Sequence, residues 1–376
     1  MNAAPTSRGW QRNEAYDALH GIKSVSSPSD SEVRRLNTNA QSASRGLFRD
    51  REGALANTSV LAWVTLGWLV SFTLMGAHLP ALNVLGVVLC THTMVLAAYL
   101  IHEAAHQTLF NEQWANTAVG ECMSFIAGSS YASFERIRHM HIRHHVDRCD
   151  LTCFDYMGLM QRRPAIRRTL EILEWCYVPA AEMLMHLQVI CRPFFVRSQR
   201  RYLPRVLTML LARGGLLALL GLWSVKALLL YLVAAVLLLH VLNFFDAFHH
   251  TFEQFFVEAD QPVPARARDR SYEQDHTYSN LVSTKYPRLN LLILNFCFHN
   301  AHHHRASVPW YRLPDYHRSL YADDGSGVMP LFDLLRTWHR NRVRRVGCDE
   351  YGAPAQRVER ADQFVGAHGV SFLTVV

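Results

Sequence analysis

The sequence predicts an all-α integral membrane protein, with four transmembrane helices in two hairpins and a cytosolic helical cap rich in histidine. Three observations carry this expectation. Half of the 376 residues are hydrophobic, yet mean hydropathy is only −0.01, so the apolar residues are gathered into blocks. Those blocks approach the ~20 residues that a helix needs to cross a bilayer. The chain also holds 21 histidines, and many of them cluster where the blocks end.

Residues 1–57 read as a polar tail. The run SVSSPSDSEVRRLNTNAQSASRG is Ser-rich and lacks the apolar residues a core needs, which suits a disordered or interfacial segment. No short apolar core followed by a small-residue cleavage site marks a secretory signal. The first span runs from about Val60 to Leu79 and the second from Ala81 to Ile101. A third covers Val206 to Trp223, and a fourth Ala227 to Asp246. Arg213 lies inside the third, where it costs a few kcal/mol unless it snorkels or finds a partner. Short outer turns near Pro80 and Ser224 put both chain ends and the 102–205 segment on one side.

That side carries nearly all the arginine, and Lys23, Lys226 and Lys285 are the only lysines. The formal net charge of +7 therefore marks a cytoplasmic face beside anionic lipid. A nucleic-acid partner is excluded on the same ground, since the spans explain the charge and no nucleic-acid fold is evident. Stretches near Ala115–Ala127 and Ile172–Phe195 are apolar but interrupted by charge, which suits interfacial helices. The eight cysteines are scattered; Cys149 and Cys153 have C-x-x-x-C spacing, unlike a zinc or redox pair. Reduced, structural thiols are expected. The division is 1–57 tail, 58–345 catalytic domain and 346–376 C-terminal tail.

The second span runs directly into HEAAHQ, which puts His102 and His106 at i and i+4 on one helical face. RHMHIRHH contains His141, His144 and His145 as H-x-x-H-H; His139, about 200° from His141, should point away. The pattern recurs in HNAHHH as His299, His302 and His303, with His304 the odd one out. The fourth span ends in NFFDAFHHTFE, which offers His249 and His250. Imidazole suits zinc, copper, nickel and iron. Zinc is satisfied by four ligands, so nine histidines are too many for one ion and about right for two. Two ions in an all-nitrogen shell at a membrane surface point to iron and oxygen chemistry. HEAAH, residues 102–106, also matches the zinc metalloprotease motif, with Glu103 as general base. That reading explains two histidines and leaves both H-x-x-H-H boxes as coincidence.

Three boxes in this order, spread over two membrane hairpins, resemble the membrane-bound fatty acid desaturase and hydroxylase superfamily. The segment SVPWYRLPDYH after the third box resembles the P-W-x-x-L-P of bacterial acyl desaturases. The resemblance covers roughly residues 58 to 345. It implies a mushroom-shaped helical protein whose cytosolic cap holds a histidine-rich di-metal site of two iron ions. By the same resemblance the ligands are His102, His106, His141, His144, His145, His299, His302 and His303. A ninth follows the fourth span. Asp246 and His250 have the family's i, i+4 relation, which favours His250 over His249. Asp246, Asp147 and Asp150 are candidates to orient ligands from behind.

The implied reaction is O2-dependent desaturation of a fatty acyl chain linked to a lipid, coenzyme A or acyl-carrier protein. Hydroxylation, ketolation and acetylenic bond formation are the alternatives within the superfamily. Electrons would come from a separate donor, a ferredoxin or a cytochrome b5-type protein, because no heme module with a His-Pro-Gly-Gly signature is fused. Membrane lipids surround the spans, and the implied location is a bacterial inner membrane rather than the endoplasmic reticulum. Arg136, Arg138, Arg143 and Arg148 read as cytoplasmic-face residues, or alternatively as contacts to an anionic carrier.

Overall fold

The computed structural model describes residues 46–152, 154–252, 269–321, 325, 327–347, 359–366 and 373, with the backbone of 256 and 257. Cys153, most of the N-terminal tail and much of the C-terminal tail lie outside the described residues.

Helix α1 (Ala54–Gly76) and helix α2 (Pro80–Ala105) form the first hairpin, and each is long and apolar enough to span a membrane. Pro80 sits at the first position of α2, where its missing N–H is no loss. The Asn83 side-chain amide donates to the carbonyls of Leu74, Met75 and Ala77 at 2.8–3.0 Å, which satisfies the end of α1. The two helices approach closely at Gly86, where a Cβ would stand 2.8 Å from the Met75 backbone nitrogen. Helix α2 is the most enclosed of the four candidate spans. It runs about one turn beyond the expected Ile101, so His102 is still helical and His106 is its C-cap.

Helix α3 (Gln113–Ala127) returns along α2 and stops at Gly128, which adopts φ +90° and needs no Cβ to do so. Its end is not at the surface. The Phe125 ring meets Trp68, well inside α1, at 6.4 Å. Helix α4 (Phe134–Asp147) carries the second box and is capped by the Ser133 hydroxyl, which accepts from Arg136 N at 3.3 Å. Two-residue strand β1 (Leu151–Thr152) pairs in parallel with β2 (Phe256–Val257). Between them in sequence lie α5 (Tyr156–Arg162), α6 (Pro164–Trp175), α7 (Ala180–Phe195), α8 (Leu203–Trp223) and α9 (Val225–Asp246). The second hairpin is α8 and α9, joined through Ser224 alone; α8 is extended at its start by a 3-10 turn over Arg197–Tyr202.

Arg213, the arginine inside the third span, finds partners there. It donates to the Phe125 carbonyl at the end of α3 and, at 3.0 Å, to the Tyr231 hydroxyl of α9. A cation at a helix C-terminus also meets the negative end of the helix dipole. Lys226 reaches the Ala77 carbonyl and so links the turns of the two hairpins. His240, within α9, bonds the Tyr177 carbonyl at 2.8 Å.

After α9 come short helices α10 (Arg270–Asp275), α11 (His299–His304), α12 (Leu313–Tyr321) and α13 (Leu331–Asn341). Trp310 of the P-W-x-x-L-P segment ties this region to the spans. Its indole N–H donates to Asn57 Oδ1 of α1 at 2.9 Å, and its backbone N–H to Glu103 Oε2 of α2 at 3.2 Å. The chain after residue 345 contributes to the core as well. Phe364 is fully buried and packs against Phe248 and Tyr278 at 5.4 and 5.1 Å.

Candidate metal centre

Four elements bring histidines to one place: the end of α2, helix α4, the segment just after α9, and helix α11. The rings form two adjoining groups. The first contains His102, His106, His141, His145 and His302; the second contains His144, His250, His299 and His303. Within each group, one potential ligand atom per residue lies within 4.8 Å of all the others.

In the first group the Nε2 atoms form a continuous chain. His102 meets His302 at 2.9 Å, His302 meets His145 at 3.1 Å, His145 meets His141 at 3.2 Å, and His141 meets His106 at 2.7 Å. In the second group, Nε2 of His144 and His303 are 3.2 Å apart, and those of His299 and His250 are 2.9 Å apart. Two nitrogens bound at right angles to one ion, each at ~2.1 Å, would be about 3.0 Å apart.

Tautomers sharpen the point. His144 Nδ1 is 2.9 Å from the Cys149 carbonyl oxygen, which can only accept, so Nδ1 carries the proton. His303 Nδ1 is 2.9 Å from Glu273 Oε1, and Arg148 on the other oxygen favours the ionised carboxylate, so Nδ1 is assigned as the donor. The two Nε2 lone pairs then face each other across 3.2 Å. Without a cation between them that arrangement is repulsive; with one, both nitrogens are ligands. The donor set fits a metal.

Burial keeps the rings neutral, the form that binds metal. It lowers the imidazole pKa to about 4 at His144 and to about 3 at His302. At His106, His141, His145, His250, His299 and His303 burial and the neighbouring histidines push in the same direction. Phe296 seals one side, stacking on Tyr99 at 4.5 Å and meeting His102 edge-on at 4.8 Å and His249 at 5.2 Å.

The remaining sequence candidates fall as follows. His250 is in the second group, whereas His249 Nε2 is 3.0 Å from Asn280 Oδ1. The helical i, i+4 argument for His250 lapses, because α9 ends at Asp246, whose carboxylate comes within 4.0 Å of His249 Nδ1. Asp150 lies 3.5 Å from His144 Nδ1, and burial pushes its carboxyl up to about 7. Asp147 is held by Arg143 at 2.7 Å. His139 is exposed, and His304 bonds the Tyr316 hydroxyl at 2.7 Å.

The arginines near the second box are engaged within the protein. Arg138 donates to the Ala105 carbonyl at 3.0 Å, Arg143 pairs with Asp147, and Arg148 pairs with Glu273 at 3.2 Å. The protease reading of HEAAH leaves His141, His145 and His302 beside His102 and His106 without a role. Its Glu103 carboxylate is buried and accepts from Thr108 Oγ1 at 2.6 Å and from Trp310 N, which ties α2 to the segment after the third box.

Sequence reasoning missed Glu273, Thr277 and Asn280, which touch His303, His250 and His249. They lie in SYEQDHTYSN, which belongs to no box and has no fixed spacing to one. Burial pushes the Glu273 carboxyl up to about 8, against the pull of Arg148 and Arg270.

A comparison with curated proteins finds none that matches the chain. A family model for fatty acid desaturases matches residues 77–334, well over half of the sequence, and this stretch contains every histidine of both groups. Members of this family are metal-dependent oxidoreductases of the desaturase and hydroxylase type, acting on fatty acyl substrates in membranes. With four membrane-spanning helices and a histidine-rich centre at their ends, the chain belongs to the fatty acid desaturase family.

Proposed function

We propose that this protein is an O2-dependent acyl desaturase that uses two iron ions. One ion would be held by His102, His106, His141, His145 and His302, the other by His144, His250, His299 and His303. The observation that carries the reading is the convergence of nine imidazoles into adjoining groups of five and four. Five nitrogen donors exceed what tetrahedral zinc takes, and imidazole suits iron. With two electrons and two protons from an external donor, the iron pair would supply the redox chemistry by which one O2 and two hydrogens of adjacent methylenes become two waters, leaving a C=C bond.

The chain's own residues do the rest. They hold the rings neutral, keep water out around Phe296 and, among the described residues, place no cysteine in either ligand group. The catalytic unit is residues 58–345, and the start of α1 at residues 54–57 and the buried Phe364 complete its packing from the flanking 1–57 and 346–376. The arginine-rich ends of the spans favour a cytoplasmic centre by the positive-inside rule, where a ferredoxin or cytochrome b5-type electron donor would reach it.

The test combines metal analysis with acyl profiling. Purified protein should contain about two irons per chain. Expression in a host lacking the activity should yield a new unsaturated acyl chain, its double bond located by mass spectrometry. A hydroxylated product would move the reaction to the hydroxylase branch of the family. One zinc and no oxidised product would end the reading.

A further inference from the structure

We propose that Glu273 is a positioning residue, which fixes His303 for metal binding and ties the four-histidine group to the five-histidine group. The proposal rests on the di-metal reading above. Glu273 stands on α10, outside every histidine box, and is only 3% exposed. Its Oε1 is 2.9 Å from His303 Nδ1, and its Oε2 is 3.2 Å from Arg148 Nε. Both carboxylate oxygens therefore face an N–H donor. A chain of three residues, Arg148–Glu273–His303, runs from the end of α4 through α10 to α11.

Arg148 reaches this place by an unusual backbone turn. It is the C-cap of α4 with φ +54°, a left-handed conformation that a side chain disfavours. The carboxylate also lies at the seam between the groups. Ligand-capable atoms of His145, Glu273 and His303 fall within 4.8 Å of one another, and the His145 and His303 rings are 4.3 Å apart. His145 belongs to the first group and His303 to the second.

A third metal site at this seam is the competing interpretation, and the hydrogen bonds argue against it. His303 turns its Nε2 to His144 and its Nδ1 to Glu273, while Arg148 already occupies the second carboxylate oxygen. The geometry is that of a carboxylate behind a ligand. Accepting the Nδ1 proton fixes the tautomer and the ring plane, and makes Nε2 a better donor to the metal.

The test uses the full-length protein purified in detergent, comparing wild type, Glu273→Gln, Glu273→Ala and His303→Ala. Two quantities are read: Fe2+ bound per chain under anaerobic titration, and the visible spectrum of the Co2+-loaded protein, which reports coordination geometry. Glu273→Ala should weaken one of the two metals about 10- to 100-fold and change the Co2+ spectrum. Glu273→Gln, which keeps the shape and guards against a folding failure, should show a smaller shift in the same direction. A merely structural glutamate would lower the thermal midpoint and leave both metal readouts at wild type. If His303→Ala loses a metal while both Glu273 variants bind like wild type, the positioning role is wrong. If His303→Ala itself keeps two metals, the di-metal assignment fails and takes this proposal with it.

Discussion

The two histidine groups are built differently. The five-histidine group is placed largely by helix geometry, with His102 on α2, His141 and His145 one turn apart on α4, and His302 on α11. Their Nε2 atoms converge, yet His302 Nδ1 is buried without a hydrogen bond. Three of the four rings in the second group are held from behind, while His299 Nδ1, like His302 Nδ1, is buried without a hydrogen bond. His144 Nδ1 bonds the Cys149 carbonyl, His250 Nδ1 is 3.2 Å from Thr277 Oγ1, and His303 Nδ1 bonds Glu273. Outer hydrogen bonds thus aim three rings of the second group, whereas His302 in the first and His299 in the second lack one at Nδ1. A ring fixed at Nδ1 has one tautomer and one orientation ready for a metal; a ring without that bond chooses on binding.

The largest effect that separates the groups comes from removing ligands. His302→Ala deletes a ring whose Nε2 meets both His102 and His145, so it should reduce bound metal from two ions to one and abolish product formation. His250→Ala should likewise remove one metal, from the other group. His249→Ala should keep both, because His249 is engaged by Asn280 and only stacks on His299 at 3.8 Å. Metal stoichiometry of the three purified variants decides the matter. Two retained metals in His250→Ala with one in His249→Ala would invert the assignment.

This contrast also explains what the sequence made legible. Boxes on helices are readable because i, i+3 and i+4 spacing is a direct statement about one face. The spans were readable from hydropathy, and their ends shifted by a turn or so because helices continue until something caps them, as Asn83 and Ser224 do. The preference for His250 over His249 rests on the family's i, i+4 relation to Asp246, and because the helix stops at Asp246 no helical face carries it. Glu273, Thr277 and Asn280 were invisible for a deeper reason. Their link to the histidines is set by tertiary contact across 27 to 31 residues, and no local period encodes it. Arg213 shows the same limit. Its place in a span looked expensive until the α3 carbonyl beside it was known.

A titration in acid sharpens the comparison further. Burial lowers the pKa of His144 to about 4 and of His302 to about 3, against about 6.5 for an unfolded histidine. Below pH 6.5 the unfolded chain takes up protons that the folded site refuses. Stability therefore falls with pH across the window from about 6.5 to about 4, and these groups contribute no slope above it. Bound metal should be lost over the same range, since protonated imidazole is no ligand. Metal content after equilibration at stepped pH checks this, and full retention of both ions at about pH 4 would count against imidazole ligands.

The smallest effect isolates one outer hydrogen bond. Thr277→Val keeps the shape of the side chain and removes the hydroxyl facing His250 Nδ1 at 3.2 Å. Thr277 Oγ1 also donates to the Glu273 carbonyl at 2.7 Å, so the loss includes one bond within the fold, worth about 1 kcal/mol. If His250 is aimed by that hydroxyl, affinity for one metal should fall about tenfold while the other is unchanged. Thr277→Ser, which restores the hydroxyl, should recover most of the loss. A Thr277→Val protein with a lower thermal midpoint and two wild-type metal affinities would reduce the threonine to a packing residue. The rigidity of the second group would then rest on His144 and His303 alone.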